Sequence, residues 1–398
     1  MADNNENKVL NVPHLRFPEF SGEWNKYTIN DLATVVGGGT PDTTVKSYWG
    51  GDIQWFTPSE IGKNKYVDFS KRTITRDGLD NSSAKLLPLH TILLSSRATV
   101  GECSIASNEC TTNQGFQSLI AKQCNIDFLY YLIQTKKKDL IRNACGSTFL
   151  EISANEIRKI KVAVPVQNEQ EQIAKLLSLI DERIATQNKI IERYESLIRG
   201  INQYVFTNTG INYKLGELCE IRSGYSGNQL TLKNGLKVSR IETISGHKVN
   251  MERVGYVAPF ESSENYRLQI GDILFSNINS VEYIGNTAFI DKDYSLFHGM
   301  NLLRLIPNKE VVMPFYLYLV LNTNRLLNHF KTVCNKAVSQ ASINQTELGK
   351  TIVRIPDLIS QKKTCELFQT LYTKLEAEKY FILLLQNQKQ HLLRQMFI

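Results

Sequence analysis

The sequence predicts an α+β protein with two mixed α/β domains, each followed by a long helix, and an internal pseudo-two-fold repeat. Three observations support this fold. Residues 152–206 align without a gap with residues 343–397, at an offset of 191 residues. Both copies contain a heptad pattern of apolar residues, and strand-like runs separated by Gly and Asn precede each copy. A unit this long exceeds the ~20–50 residue period of solenoid repeats, so we expect two domains and no repeat array.

The heptad pattern predicts two helices that pair antiparallel as a coiled coil. Between Ile173 and Val205, nine of the ten residues at alternating steps of four and three are apolar, and Gln187 is the exception. In the second copy, from Thr364 to Met396, seven of the ten are apolar. The first helix would span about 48 Å at about 1.5 Å per residue. Gln187 and Glu378 occupy the same register, where a polar residue either fixes pairing or faces solvent or another subunit.

The residues before each helix predict the two domains. Pro165 and Pro356 end the strand-like runs 160–164 and 351–355, because proline lacks an N–H and restricts the preceding residue. Further predicted strands lie at 91–94, 104–106, 273–275 and 287–290, and helices at 127–142 and 314–330. The predicted boundaries are an N-terminal tail at 1–20, a first domain at 21–167, a spacer helix at 168–209, a second domain at 210–357 and a second spacer helix at 358–398.

Composition narrows the class of protein. Of the 398 residues, 42% are apolar and 21% are charged, as in soluble globular proteins. The longest apolar run, Phe315 to Leu321, is shorter than the ~20 residues of a membrane span, and Met1 to Lys8 lacks the apolar core of a signal peptide. We therefore expect a cytoplasmic location. The seven cysteines form no C-x-x-C pair and the six histidines are dispersed, so we expect reduced thiols and no metal site.

Common catalytic motifs are missing from the sequence. No two prolines are adjacent, which excludes the Asn/Asp-Pro-Pro-aromatic motif of amino-methyltransferases. The sequence Gly349-Lys350-Thr351 resembles the end of a phosphate-binding loop, but Asn344 stands where the earlier glycine is required. G-x-S-x-G and H-E-x-x-H are absent as well. We expect no catalytic residue.

Charge and polar turns point to a polyanionic partner. The net charge is +7, and basic residues cluster at 63–85, 136–142 and 158–161, although each cluster alone could be a solvated face. The loop 37–41 and the turns 95–101 and 112–116 are polar, and segments 276–279 and 298–301 correspond to these turns in the second half. Arg97, Asn113 and Gln114 are side-chain types that read guanine or adenine edges, but they could equally be turn or capping residues.

The candidate DNA-contacting residues come from these loops and basic clusters. The glycines of the first loop would allow close backbone approach to a ligand, whereas Trp55 and Phe56 are interpreted as core residues. The candidates are Gly38, Gly39, Thr40, Lys46, Tyr48, Lys63, Lys65, Arg72, Arg76, Ser96, Arg97, Asn113, Gln114, Arg222, Tyr225, Lys233, Lys237, Arg240, Asn277, Asn279, His298 and Asn301.

Taken together, these motifs resemble the specificity subunit of type I restriction-modification systems over nearly the whole chain. The resemblance is carried by Gly38–Pro41 leading to Trp49–Trp55, by Leu93–Gly101 followed by Asn113–Phe116, and by Pro165 with Gln170 and Ile173, echoed by Pro356 and Gln361. The second half departs from the pattern, because Arg222–Tyr225 replaces the Gly-Gly-Thr-Pro run. This departure fits two domains that read different sequences.

The resemblance implies two target-recognition domains held apart by paired helices, each reading one half of a bipartite, asymmetric DNA site. It implies a non-catalytic subunit on which two methyltransferase subunits dock, and which restriction subunits join. S-adenosylmethionine, ATP and Mg would belong to those partners, and none to this chain. Candidate subunit contacts are Gln170, Gln187, Gln361 and Glu378. With one DNA turn of ~34–36 Å, the half-sites would lie roughly one turn apart. The alternative is a stand-alone DNA-binding regulator or scaffold protein; the missing motifs disfavour a catalytic methyltransferase.

Overall fold

A computed structural model describes residues 11–146, 150–206, 210–231, 234–336 and 340–398. The segment Met1–Lys8, Lys233, and residues 207–209 at the predicted end of the first spacer helix lie outside the described residues. The chain divides into two compact units. Unit 1 contains Met1–Lys189 and Tyr380–Ile398, and unit 2 contains Ile190–Lys379. Both long helices cross this division, so each helix contributes one part to each unit.

Unit 1 is built on a five-stranded sheet of order β2-β9-β6-β7-β4, with a three-stranded sheet β5-β3-β8 and an antiparallel pair β1-β10. Its strands are β1 Asn25–Thr28, β2 Ala33–Gly37, β3 Trp49–Phe56, β4 Tyr66–Val67, β5 Arg72–Ile74, β6 Ile92–Leu94, β7 Cys103–Ala106, β8 Cys110–Thr112, β9 Gln117–Ala121 and β10 Lys161–Val164. Its helices are α1 Ile29–Leu32, α2 Arg76–Asp80, α3 Ile126–Thr135, α4 Lys137–Arg142, α5 Ala154–Lys159 and the first part of α6 Gln167–Val205.

Both faces of the five-stranded sheet are buried. Ile92 and Leu94 join the main core with Phe128 of α3, whereas Leu93 between them joins a separate cluster on the opposite face. This alternation follows from the two-residue period of side chains along a strand. The main core also includes Ile173 of α6, so the first part of the long helix is a component of unit 1 and not an appendage.

Unit 2 contains a four-stranded sheet β12-β18-β15-β17, a three-stranded sheet β16-β20-β19 and the antiparallel pairs β13-β14 and β11-β21. Its strands are β11 Ile211–Lys214, β12 Cys219–Ser223, β13 Leu236–Val238, β14 Gly255–Val257, β15 Ile273–Phe275, β16 Ile278–Asn279, β17 Thr287–Phe289, β18 Leu303–Pro307, β19 Asn335–Lys336, β20 Ala341–Ser342 and β21 Ile352–Ile355. Its helices are α7 Leu215–Leu218, α8 Pro314–Leu321, α9 Asn324–Val333, α10 Gln345–Gly349 and the first part of α11 Leu358–Gln395.

The sequence repeat becomes a structural repeat at the start of each long helix. β1 pairs with β10 and β11 pairs with β21, both antiparallel. The Nε2 of Gln170 donates to the carbonyl of Pro165, and the Nε2 of Gln361 donates to the carbonyl of Pro356, each at 2.9 Å. The predicted pseudo-two-fold α+β fold is therefore confirmed.

The two long helices run antiparallel in each unit. In unit 1, Ile173 shares a core with Met396 and Phe397, and further along α6 the carboxylate of Asp181 lies 2.6 Å from Lys389 Nζ. In unit 2, Ile198 packs in one cluster with Phe368, Leu371 and Leu375. The predicted antiparallel pairing is confirmed, because the contacting positions descend along α11 as they rise along α6.

Two predicted helices are each interrupted. The predicted helix 127–142 consists of two helices, α3 and α4, separated at Lys136. The predicted helix 314–330 consists of α8 and α9, separated at Asn322 and Thr323. The Thr323 hydroxyl accepts the backbone N–H of Leu326 and caps α9, because threonine offers the backbone an alternative to continuing a helix. Among the described residues, no helix is long and apolar enough to cross a membrane, and no group of His, Cys, Asp or Glu could hold a metal ion.

Candidate nucleic-acid interface

Three polar segments of unit 1 meet at one edge of the five-stranded sheet, which we call the polar edge of unit 1. The loop 37–41 leaves β2, the turn 95–101 leaves β6, and the turn 112–116 enters β9. β9 lies between β2 and β6 and is antiparallel to both, which brings these ends together. Backbone bonds join them: Gly39 N donates to Thr112 O at 2.9 Å, and Ser96 N donates to Gly115 O at 2.8 Å.

The loop 37–41 requires glycine because its backbone packs directly against other backbone segments of unit 1. A Cβ at Gly38 would lie 2.0 Å from Asn113 O, and a Cβ at Gly39 would lie 2.3 Å from Ala84 N. Both distances are too short for any side chain. The sequence predicts close backbone approach to a ligand at these glycines, whereas the structure shows that they allow close approach of the protein's own backbone.

Two tryptophans hold the loop in place. Trp55 Nε1 donates to Gly39 O at 2.9 Å, and Trp49 Nε1 donates to Asp42 O at 3.1 Å. The two rings meet edge to face with centroids 5.0 Å apart, and the guanidinium of Arg72 lies 3.6 Å from the Trp49 ring centroid. This cation–π contact gives the candidate Arg72 a role in ordering the loop. Of the other two candidates in this region, Tyr48 is half-buried and Lys46 is exposed.

The candidate base-reading side chains at the polar edge differ in their exposure and in their hydrogen bonds within the protein. Gln114 is exposed, and Thr40 donates a hydrogen bond to its amide oxygen. Asn113 Oδ1 accepts the backbone N–H of Gly115 at 2.9 Å, so it shapes the turn. Arg97 is about two-fifths exposed, and its Nη2 lies 2.7 Å from a Glu151 oxygen that also accepts from its Nε. Ser96 is buried, so its hydroxyl does not face solvent.

Unit 2 has an equivalent polar edge. β18 lies between β12 and β15, Ser223 and Phe275 both pair with Leu303, and the segments after β12, after β15 and before β18 converge. A Cβ at Gly224 would lie 1.9 Å from Gly299 O, which parallels the contact of Gly38 with Asn113. The correspondence between the turns of the two halves therefore extends to their backbone packing.

The side chains of the second polar edge are different. Tyr225 stacks on Phe260 with centroids 3.9 Å apart and an interplanar angle of 8°. Arg222 pairs with Glu220 at 2.6 Å, and Arg240 lies 3.5 Å from Glu242. The other candidates of this unit fall into two groups. Asn277 and Asn279 are half-buried and donate to Ile343 O and Ser276 Oγ, whereas Lys237 and Asn301 are exposed.

His298 lies inside unit 2, so its ring cannot reach DNA as the sequence suggested. The residue is 1% exposed, and its Nε2 lies 3.0 Å from Leu302 O. Burial lowers the pKa of His298 to about 4. Its folded pKa is below the unfolded value of about 6.5, so the unfolded chain binds more protons between these values, and stability is lost as the pH falls through this window.

The basic residues of unit 1 include both surface and buried groups. Lys63 is exposed, and so is Arg76, which pairs with Asp80 at 3.2 Å. Lys65, predicted as a DNA contact, has a side chain only 8% exposed. Its Nζ lies 2.7 Å from an Asp127 oxygen and 2.6 Å from Ser178 Oγ. The prediction for Lys65 is corrected, because this lysine joins the domain to α6.

Two of the four candidate subunit contacts are likewise internal. Gln170 Oε1 accepts Asn125 N at 3.0 Å, and Gln361 Oε1 accepts Met313 N at 2.8 Å. Both glutamines are buried, so each attaches a long helix to its own unit and does not face a partner. Gln187 is also buried, and Glu378 is half-buried.

Several residues that form ion pairs or hydrogen bonds in unit 1 were not predicted from the sequence. Glu151, Tyr131 and Asp181 were not singled out, because their partners lie tens of residues or more away in the sequence. One sequence feature could have identified Lys389, because it is a charged residue at a position of the apolar heptad pattern.

The structure defines a class of protein: a duplicated α+β chain in which each unit has a polar edge and an antiparallel pair of helix segments. Comparison with known families makes this class specific. The chain belongs to the family described as type I restriction modification DNA specificity domain, whose model matches residues 21–196 and 211–383.

Individual relatives are similar in part of their length. The chain is 39% identical over 182 residues to the type I restriction enzyme MjaIX specificity subunit of Methanocaldococcus jannaschii, which covers 43% of this chain and 41% of that protein. It is 29% identical over 175 residues to the type I restriction enzyme EcoR124I/EcoR124II specificity subunit of Escherichia coli, covering 42% and 43%. These matches thus span about two-fifths of the length of each relative.

Solved structures share the fold over nearly the whole chain. The type I restriction-modification S subunit from M. genitalium matches with a TM-score of 0.58 and 18% identity, covering 97% of this chain and 99% of that chain. A chain from a study of complex assembly and conformational transition of the type I R-M system matches with a TM-score of 0.61 and 16% identity, covering 96% and 98%.

Proposed function

We propose that this chain is the DNA sequence-recognition subunit of a type I restriction-modification complex, with each unit reading one half of a bipartite, asymmetric site. One observation carries the proposal: the same polar edge is built twice, from equivalent strand ends, with different side chains on it. Base edges are distinguished by side-chain donors and acceptors. Two domains that recognise different base sequences therefore need the same backbone geometry with different side chains.

In unit 1 the reading groups are Gln114, Thr40 and Arg97. A glutamine can bond adenine through N6 and N7, and an arginine can bond guanine through O6 and N7. Arg97 is held by Glu151 in the free protein, so binding guanine exchanges one charged partner for another acceptor. The exposed Lys46, Lys63 and Arg76 contact phosphates and supply affinity without sequence preference.

In unit 2 the groups available on the polar edge are Tyr225 and Asn301, flanked by the exposed cation Lys237, whereas both amide atoms of Asn279 bond to Ser276 and Ser280. Asparagine reads adenine in the same bidentate manner as glutamine. Because Tyr225 is stacked on Phe260, it presents a fixed edge and not a mobile ring. Unit 1 presents Arg97 on its polar edge and unit 2 presents the stacked Tyr225, so the two units offer different side chains to the bases.

The chain itself performs no chemistry in this proposal. Two methyltransferase subunits dock on it and methylate adenine with S-adenosylmethionine, and restriction subunits with ATP and Mg join them. This assignment rests on membership of the specificity family. The complex works on DNA in the cytoplasm.

Co-purification and calorimetry test this proposal. A tagged chain expressed with its cognate methyltransferase subunit should retain that subunit at a ratio of two to one and bind duplex DNA. The isolated chain should bind no S-adenosylmethionine in a titration. Retention of DNA binding without any association with the methyltransferase would favour a stand-alone regulator, and stoichiometric S-adenosylmethionine binding would contradict a non-catalytic subunit.

A further inference from the structure

A buried charged network lies where α3 meets the helix pair in unit 1. The hydroxyl of Tyr131 donates to Asp181 at 2.7 Å, and Lys389 Nζ lies 2.6 Å from the other Asp181 oxygen. The side chains of Asp181 and Lys389 are only 17% and 14% exposed. Lys65 Nζ approaches the Tyr131 ring to 4.9 Å and pairs with Asp127, so the four charges of the network balance.

The equivalent positions in unit 2 carry no charge. The 191-residue repeat places Tyr372 at the position of Asp181 and Ile198 at the position of Lys389. Leu319 corresponds to Tyr131. Asn125 and Met313 donate their N–H groups to the equivalent glutamines, and Tyr131 and Leu319 each lie six residues after them. Ile198, Leu319 and Tyr372 pack together in one apolar cluster. The same contact is thus polar in unit 1 and apolar in unit 2.

This asymmetry matters because the repeat makes two kinds of helix pair possible. The last part of α6 is equivalent to the last part of α11, so α6 of one copy could pair antiparallel with α6 of a second copy, and α11 with α11. In an α6–α6 pair, Ile198 would take the place of Lys389 and leave Asp181 buried without its cation. In an α11–α11 pair, Lys389 would face Tyr372. Each mispairing buries an uncompensated charge, which is strongly unfavourable.

We propose that the Asp181–Lys389 pair makes α6 pair with α11 and rejects the α6–α6 and α11–α11 pairings with a second copy of this chain. The pair acts as a repulsive element against the wrong pairing, in the way that buried polar groups specify partners in coiled coils. One chain then always combines unit 1 with unit 2, and two copies of unit 1 are not joined. This inference does not depend on which DNA sequence the chain reads.

The test uses the full chain with two different tags. The two tagged forms are mixed, unfolded in denaturant and refolded together, and the fraction that carries both tags is measured by sequential affinity capture and light scattering. The wild-type chain should refold as a monomer. Asp181→Tyr with Lys389→Ile, which gives unit 1 the residues of unit 2, should raise the two-tag fraction about tenfold or more, since each 1.4 kcal/mol of lost discrimination is worth roughly a factor of ten.

Two further variants make the result decisive. Asp181→Leu with Lys389→Met replaces the pair by apolar side chains of similar volume and should give the same rise, which covers the case in which tyrosine does not fit. Glu195→Ala with Lys379→Ala removes an exposed ion pair between the same helices and should leave the chain monomeric. A two-tag fraction unchanged in both apolar variants, or raised equally by the exposed-pair variant, would overturn the inference.

Discussion

Lys63 and Lys65 are two residues apart, and we expect the loss of Lys65 to lower the stability and the loss of Lys63 to weaken DNA binding. Lys65 is buried, with its Nζ 2.7 Å from Asp127 and 2.6 Å from Ser178 Oγ, whereas Lys63 is exposed. Breaking a buried ion pair typically costs ~3–5 kcal/mol, because the remaining charge is left without compensation. Asp127 keeps 29% of its side chain exposed, so water compensates part of this loss. We expect Lys65→Met to lower the free energy of unfolding by about 3 kcal/mol.

Denaturant unfolding and DNA binding at several salt concentrations distinguish the two residues. Lys63→Met, the matched variant, should change the free energy of unfolding by less than about 0.5 kcal/mol, as for most surface substitutions. It should weaken binding to all sequences and reduce the slope of log K against log salt by about 0.9 if it loses one phosphate contact. A Lys65→Met chain of unchanged stability and reduced salt slope would refute the assignment of Lys65 to the interior.

Four further predictions concern other parts of the molecule. Acidification from pH 7 to 4 should destabilise unit 2 by up to about 3 kcal/mol, and His298→Asn should flatten this dependence in urea unfolding; an unchanged pH profile would contradict the lowered pKa of His298. Gln361→Met should cost ~2–4 kcal/mol, because it leaves a buried N–H and C=O unpaired, whereas Lys362→Met on the exposed side of the same turn should cost nothing measurable. Arg97→Ala should cost ~1–3 kcal/mol with matched DNA and relax one base position; a lowered melting temperature with an unchanged specificity ratio would remove it from the reading residues. Inserting seven residues before Asn202 should lengthen the gap in the DNA site or abolish binding without changing the bases read, and an unchanged gap with full activity would show that helix length does not set the spacing.

Local features of the fold were predictable from the sequence because they depend on local patterns. The strands that end at Pro165 and Pro356 and the long helices that follow are set by proline stereochemistry and by apolar periodicity, both of which are visible in one window of sequence. The break at Lys136 was missed, since no proline or glycine marks it.

The candidate site was less predictable because burial depends on partners that are distant in sequence. Lys65 looks like its neighbour Lys63, but its partners Asp127 and Ser178, the second of them 113 residues away, place its side chain inside the protein. The repeat identified Gln170 and Gln361 as equivalent, but it gave no information about the backbone groups that they bond. His298 lies in a turn that was correctly located, although the direction of its ring was not accessible from the sequence.

In the proposed function, each unit reads its own half of the DNA site. Mapping methylated adenines in DNA from cells that carry this chain and its methyltransferase partners tests it most directly. The map is made first with the natural chain and then with residues 24–164 replaced by the corresponding domain of a relative. We expect a bipartite site in which the exchange changes one half and leaves the other half unchanged. A site in which both halves change, or in which neither changes, would contradict it.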